Sequence, residues 1–108
     1  MISTLYAGLA SLASTAARER AMAELQSALA LPRLPRRIEC TDISNISGAL
    51  AVGSLVTFVD GRPHRPAYKR FRIQTVPGAD DYAMQGEVLR RRFARREWPL
   101  PDLLLIDG

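Results

Sequence analysis

Apolar and polar residues change their spacing along this chain, and each change marks an element. Between Ser14 and Ala30, Leu25 and Leu29 stand four apart, with Ala21 one turn earlier. That interval puts side chains on one face of a helix, and the intervening Ala, Glu, Arg, Met and Gln are strong helix formers. The stretch Leu31-Pro32-Arg33-Leu34-Pro35 must end the helix, because proline lacks the N–H and disfavours helix before it. From there the period becomes two. Arg37 to Ser44 alternates, with Ile38, Cys40 and Asp42 on one face and Glu39, Thr41 and Ile43 on the other. Asn45 to Gly48 reads as a turn. Ala51 to Val59 is a nearly unbroken apolar and β-branched run, the mark of a strand covered on both faces. Asp60-Gly61 is a hairpin signal. Ala67 to Val76 alternates again, with Phe71 and Ile73 opposite Arg70 and Arg72. Three strands joined by short turns predict an antiparallel meander.

Pro77-Gly78 breaks the third strand. A second helix is then predicted over Tyr82 to Phe93, where Tyr82, Leu89 and Phe93 fall at i, i+7 and i+11. Acids at its start and arginines at its end both suit the helix dipole, and it stops before Pro99. The closing run, Asp102 to Gly108, is short and apolar and follows a helix, as a buried parallel strand does after a crossover. The expected class is mixed α/β: an N-terminal helical segment over residues 1–31, a proline-containing linker over 32–36, and a β-β-β-α-β domain over 37–108. A buried parallel strand needs cover on both faces. With a single crossover helix to cover it, the chain reads as part of a larger fold.

Charge adds a polarity to this order. The first 30 residues balance two cations against two acids, so the whole net charge of +4 lies beyond them. Fourteen of the 15 cations are Arg, Lys69 being the exception. The guanidinium fork suits phosphate, so a polyanionic partner is allowed, although a GC-rich genome enriches arginine equally. One cysteine, Cys40, excludes an intrachain disulfide and a multi-cysteine zinc site, and fits a reducing cytoplasm. Residues 1–17 carry no charged side chain. They lack the basic start of a signal peptide and the length of a membrane span, and are read as neither.

Three acids stand in positions that invite chemistry. Asp42 interrupts the apolar face of its strand, where a charge is costly unless paired or metal-bound. Asp107 closes the last strand, and ligands collect beyond the carboxyl ends of parallel strands. Asp80 and Asp81 lie at the mouth of the second helix. Converging carboxylates can hold hard divalent cations. Each acid also has a structural reading: a helix cap at Asp80 or Asp81, a turn at Asp107-Gly108, an arginine partner or turn for Asp42. The run from Arg90 to Arg96 holds five Arg in seven residues and suits phosphates or a solvated helix end. His64 lies in a turn-like segment, and no nucleophilic triad can be built around it.

In combination these motifs resemble a known family. Arg36-Arg37-Ile38-Glu39-Cys40-Thr41-Asp42-Ile43-Ser44-Asn45-Ile46-Ser47-Gly48, Tyr68-Lys69-Arg70-Phe71-Arg72-Ile73, Asp80-Asp81-Tyr82-Ala83-Met84, Glu87-Val88-Leu89-Arg90-Arg91-Arg92-Phe93 and Pro101-Asp102-Leu103-Leu104-Leu105-Ile106-Asp107-Gly108 follow the order of the C-terminal nuclease domain of UvrC, a component of the bacterial excinuclease ABC. The resemblance implies a truncated ribonuclease-H-like fold and a DNA endonuclease of nucleotide excision repair that cuts 5′ to a lesion. It implies Mg²⁺ or Mn²⁺ as cofactor, with Asp42, Asp81 and Asp107 as catalytic and metal-binding residues. Damaged double-stranded DNA, UvrB and, through the repair complex, UvrA are the implied partners, in the cytoplasm and away from membranes. Arg90, Arg91 and Arg92 are candidate DNA contacts. Thr41 and Asn45 depart from the aromatic and the histidine common at these places in the family. Its downstream histidine, which His64 does not match, has no counterpart up to Gly108. A non-catalytic DNA- or protein-binding remnant of the same fold is the alternative.

Overall fold

The computed structural model describes residues 14–46, 50–75 and 80–107. The start of the chain through residue 13, the second half of the turn expected over Asn45 to Gly48 and the Pro77-Gly78 break lie outside these residues; Asn45 and Ile46, expected in that turn, continue the first strand instead, paired with Ala51 and Leu50. Helix α1 (Thr15–Leu29) begins where Ser14, in extended conformation, accepts the Ala17 N–H on its Oγ at 3.0 Å, satisfying one of the donors every helix start leaves open. It ends at Ala30, which turns left-handed at φ 53° and directs its N–H back to the last turn.

Strands β1 (Arg37–Ile46) and β2 (Leu50–Val59) pair antiparallel from Arg37 opposite Val59 to Ile46 opposite Leu50. Asp60 and Gly61 both have positive φ, 52° and 78°, as the two-residue hairpin turn requires. The third strand of the meander is shorter than the alternation of Ala67 to Val76 suggests. It is divided into β3 (Arg62–Pro63), a 3₁₀ turn at Arg65–Ala67, and β4 (Lys69–Arg72), with β3 and β4 both paired to β2. His64 still donates its N–H to the Thr57 carbonyl, and the chain leaves the sheet at the 3₁₀ turn, where Pro66 has no N–H to give a ladder. Helix α2 (Asp81–Ala94) then leads to β5 (Leu103–Ile106), parallel to β1 with Ile38 opposite Leu103 and Thr41 opposite Ile106. The order β3-β2-β1-β5 puts β1 inside the sheet and β5 beside it.

The two faces of β1 feed two cores. Ile38 and Cys40 join Phe58 under Leu25 of α1, with Leu103 and Leu105 of β5 alongside. On the other face, Leu55, Phe71 and Val88 of α2 cluster with Ile43, Ile73 and Trp98. Gly53 permits this second contact: a Cβ built there would lie 2.3 Å from Val88 Cγ2. Val88 is β-branched and fully buried, so it has little freedom to yield. Gly53→Ala is expected to cost about 1–3 kcal/mol by overpacking, read as a lower urea midpoint.

Helix α2 faces inward differently from its apolar spacing. Tyr82 is 91% exposed and Phe93 40% exposed, while Met84, Gln85, Glu87, Val88 and Arg92 are buried. The expected stripe of Tyr82, Leu89 and Phe93 is therefore corrected: the inward face carries Met84, Val88 and Arg92 at four-residue steps. Polar ties hold that face down. Glu87 accepts the N–H groups of Gln74 and Thr75, the Thr75 hydroxyl and Arg91 Nη1. Burial alone would raise its carboxyl, but the Thr75 hydroxyl, the two backbone donors and Arg91 outweigh it and hold the pKa at about 2, from 4.5. A depressed carboxylate stabilises the fold fully above its unfolded pKa and loses that contribution as pH falls through the folded one. Stability should therefore drop between pH 4.5 and 2, and Glu87→Gln should flatten that part of the profile in urea unfolding.

Candidate active site

The parallel pairing of β1 with β5 sets the geometry of the candidate carboxylates. One residue beyond the last pair, Asp107 donates its N–H to the Thr41 carbonyl at 3.0 Å, so Asp107 comes beside Asp42 in register. Both belong to the face of Ile38 and Cys40. Asp42 alternates with those residues, and Asp107 contributes charge that acts on the Cys40 thiol. Asp102 pins the start of β5, accepting Arg33 Nε at 2.5 Å and the Arg37 N–H at 2.9 Å. The Arg33 bond, aided by the Arg37 N–H, holds its carboxyl below the ordinary range although burial opposes it.

Asp81 belongs to the helix that covers the other face. Its neighbour Asp80 is the cap, its Oδ1 accepting the Ala83 N–H at 3.0 Å, which leaves Asp81 exposed in the first turn of α2. Asp81 and Gln85 share a groove of about 410 Å³ with Ile106 of β5. Gln85 connects the elements: its Oε1 accepts the Thr41 hydroxyl and its Nε2 donates to the Asp107 carbonyl, both at 2.8 Å. Sequence reasoning passed over Gln85, whose signal is a polar residue four positions after Asp81 among buried neighbours. Among the described residues, no three His, Cys, Asp or Glu side chains stand close enough to hold a metal ion. Asp42 and Asp107 are neighbours by register and Asp81 lies in the first turn of α2, the three not gathered closely enough to share one ion.

The arginine run divides. Arg90 is exposed. Arg91 is half-buried, its Nη1 donating to the Arg72 carbonyl and to Glu87. Arg92 is fully buried, with Nε and Nη2 on the two Glu39 oxygens at 2.5 and 2.8 Å and Nη2 also on the Pro99 carbonyl. Arg92 therefore does not stand on an open surface beside Arg90, as expected of a row of DNA contacts: its Nε and Nη2 are held inside the α2–β1 interface, and its Nη1 alone has no partner there. Cys40 is likewise structural. Burial first, then the Asp107 and Glu39 charges, push its thiol up to about 11, so it stays protonated at neutral pH. His64 is exposed after β3, as expected of a loop residue.

An antiparallel meander followed by a helix and a parallel strand, with acids on the adjacent β1 and β5, defines the opening part of a ribonuclease-H-like domain. The model of the UvrC RNase H endonuclease domain matches residues 26–108. The chain belongs to that family. Among similar proteins, the UvrABC system protein C of Trichlorobacter lovleyi is 54% identical over 93 residues, covering 83% of this chain and 15% of that protein. The UvrABC system protein C of Dehalococcoides mccartyi is 51% identical over 110 residues, 94% of this chain and 18% of the relative. That of Methanosarcina barkeri is 53% identical over 87 residues, 78% of this chain and 17% of the relative. The chain thus spans less than a fifth of these relatives' length. No helix among the described residues is long and apolar enough to cross a membrane.

Proposed function

We propose that this chain is the opening segment of a metal-dependent endonuclease domain that hydrolyses a DNA phosphodiester on the 5′ side of a lesion. It would act in cytoplasmic nucleotide excision repair with UvrB and, through the repair complex, UvrA. One observation carries the reading beyond family membership: the parallel β1–β5 pairing that makes Asp42 and Asp107 neighbours at the carboxyl end of β5. Two carboxylates side by side offer the hard oxygen donors that Mg²⁺ or Mn²⁺ takes. Asp42 and Asp107 would hold the ion, with Asp81 joining from the first turn of α2. The bound ion supplies a Lewis acid that acidifies water and offsets charge on the phosphate. The chain's own part is positioning. Gln85 holds the Asp107 backbone against Thr41, and exposed Arg90 is left to meet a phosphate.

The test is incision of a lesion-bearing duplex by a full-length protein carrying this segment with Asp107→Asn. Loss of the 5′ cut with DNA binding retained is the expected result; an unchanged cut refutes the assignment. That the three acids are not gathered closely enough to share one ion favours a second reading, a non-catalytic DNA- or protein-binding remnant. Plasmid nicking by the 108-residue chain in Mn²⁺, abolished by Asp107→Asn, would reject that remnant.

A further inference from the structure

At the opposite end of α2 from Asp81 lies a second polar site. Arg92 is 11 residues further along the helix, about 16 Å at 1.5 Å per residue. There a cavity of about 190 Å³ opens between the start of β1, the 3₁₀ turn, β4 and the segment after α2, with Arg37, Lys69, Arg92, Glu39, His64 and Trp98 in its wall. Three permanent cations face one carboxylate. Glu39 already accepts three bonds: its Oε1 accepts Arg92 Nε, and its Oε2 accepts both Arg92 Nη2 and Arg37 Nε, the last at 3.1 Å. Glu39 therefore neutralises one guanidinium and leaves a positive excess.

The donors are also left over. Arg92 Nη1 is buried without a hydrogen-bond partner, and so is the hydroxyl of Thr57, which pairs with Glu39 in the β1–β2 register. Burying a charged donor without an acceptor is costly. The Lys69 ammonium stands 4.9 Å from the Trp98 ring centroid and the Arg92 guanidinium 5.6 Å from it, so the ring gathers cations at the cavity instead of dispersing them. A volume several times one water's share of about 30 Å³ admits a tetrahedral oxyanion.

We propose that this cavity is a phosphate-binding site, separate from the carboxylate region and independent of the nuclease reading. The phosphate group adds the negative charge that Glu39 alone does not supply, and it accepts charge-assisted hydrogen bonds from Arg37 and Lys69 and from the orphaned corner of Arg92. The group can come from a nucleic-acid backbone or from a free phosphate, and the two sources differ in a measurable way.

Trp98 is the chain's sole tryptophan and reports on the site directly. Inorganic phosphate titrated into the 108-residue chain, at ionic strength held constant with chloride, should change Trp98 emission saturably. Lys69→Met and Arg37→Gln should each weaken that binding about tenfold, as loss of one charge-assisted contact predicts. Arg92 is not varied, because its loss disturbs the fold. A short DNA duplex that competes with phosphate for the same signal identifies a backbone phosphate as the natural occupant; a duplex with no effect identifies a free one. No phosphate-dependent change, or a change that survives both substitutions undiminished, overturns the proposal.

Discussion

Arg92→Met should destabilise the domain by about 3–5 kcal/mol, a large part of the total stability of a domain this size. The substitution keeps most of the side chain's volume but leaves Glu39 buried in the α2–β1 interface with two of its three charge-assisted bonds gone. Both side chains are fully buried, so removing the guanidinium leaves a largely desolvated carboxylate. Arg37 Nε remains on Oε2 and keeps the loss near the lower end of that range. Combining Arg92→Met with Glu39→Leu should restore much of the stability, because an apolar pair of similar shape avoids the desolvation that the ion pair bears. Urea unfolding of the two single variants and the double variant measures this directly. Equal destabilisation in the single Arg92 variant and in the double one would mean that packing, not charge, holds the interface.

Asp81→Asn should lower 5′ incision by more than about a hundredfold, exceeding the 10–100-fold typical of a group that only supports a metal ligand. The unfolding midpoint should barely move. Asp81 is exposed and contributes to α2 through its charge at the helix start, an effect of about 0.3–1 kcal/mol, whereas the capping bond belongs to Asp80. Asp80→Asn is the matched control. Asn caps as well as Asp, so incision and stability should both be preserved. The comparison is made in a full-length protein on a lesion-bearing duplex. Equal loss of incision in both variants would assign the effect to the helix start in general; unchanged incision in Asp81→Asn would remove Asp81 from the site.

Most elements were legible because their signals are local. The alternation of Arg37 to Ser44, the Asp60-Gly61 turn and the helix between Ser14 and Ala30 depend on backbone preferences within a few residues, and each appears where its residues require it. The shortened third strand has a local cause only at its start, after Pro66; at its end the N–H groups of Gln74 and Thr75 turn to Glu87 of α2. The inward face of α2 was not legible. Its apolar line ran through Tyr82 and Phe93, while burial chose Arg92, Glu87 and Gln85, whose partners Glu39, Thr75 and Thr41 lie elsewhere in the chain. A charged residue looks like a surface residue until its counter-charge is placed beside it.

The candidate site divides the same way. Asp42 on a strand face and Asp107 at a strand end could be picked out one by one from the sequence, as could the neighbouring acids at the start of α2. Which of these two caps the helix is still a local matter, settled by the Asp80–Ala83 bond, but which acids become neighbours and which arginines remain for a ligand were decided by the tertiary structure. The parallel register joins residues 65 positions apart, Asp42 and Asp107, and the two buried bonds between Glu39 and Arg92 withdraw an arginine from the surface. The chain alone settled local conformation because backbone sterics and capping act over short stretches. Charge pairing and register act through space, so folding had to bring the partners together before either had a meaning.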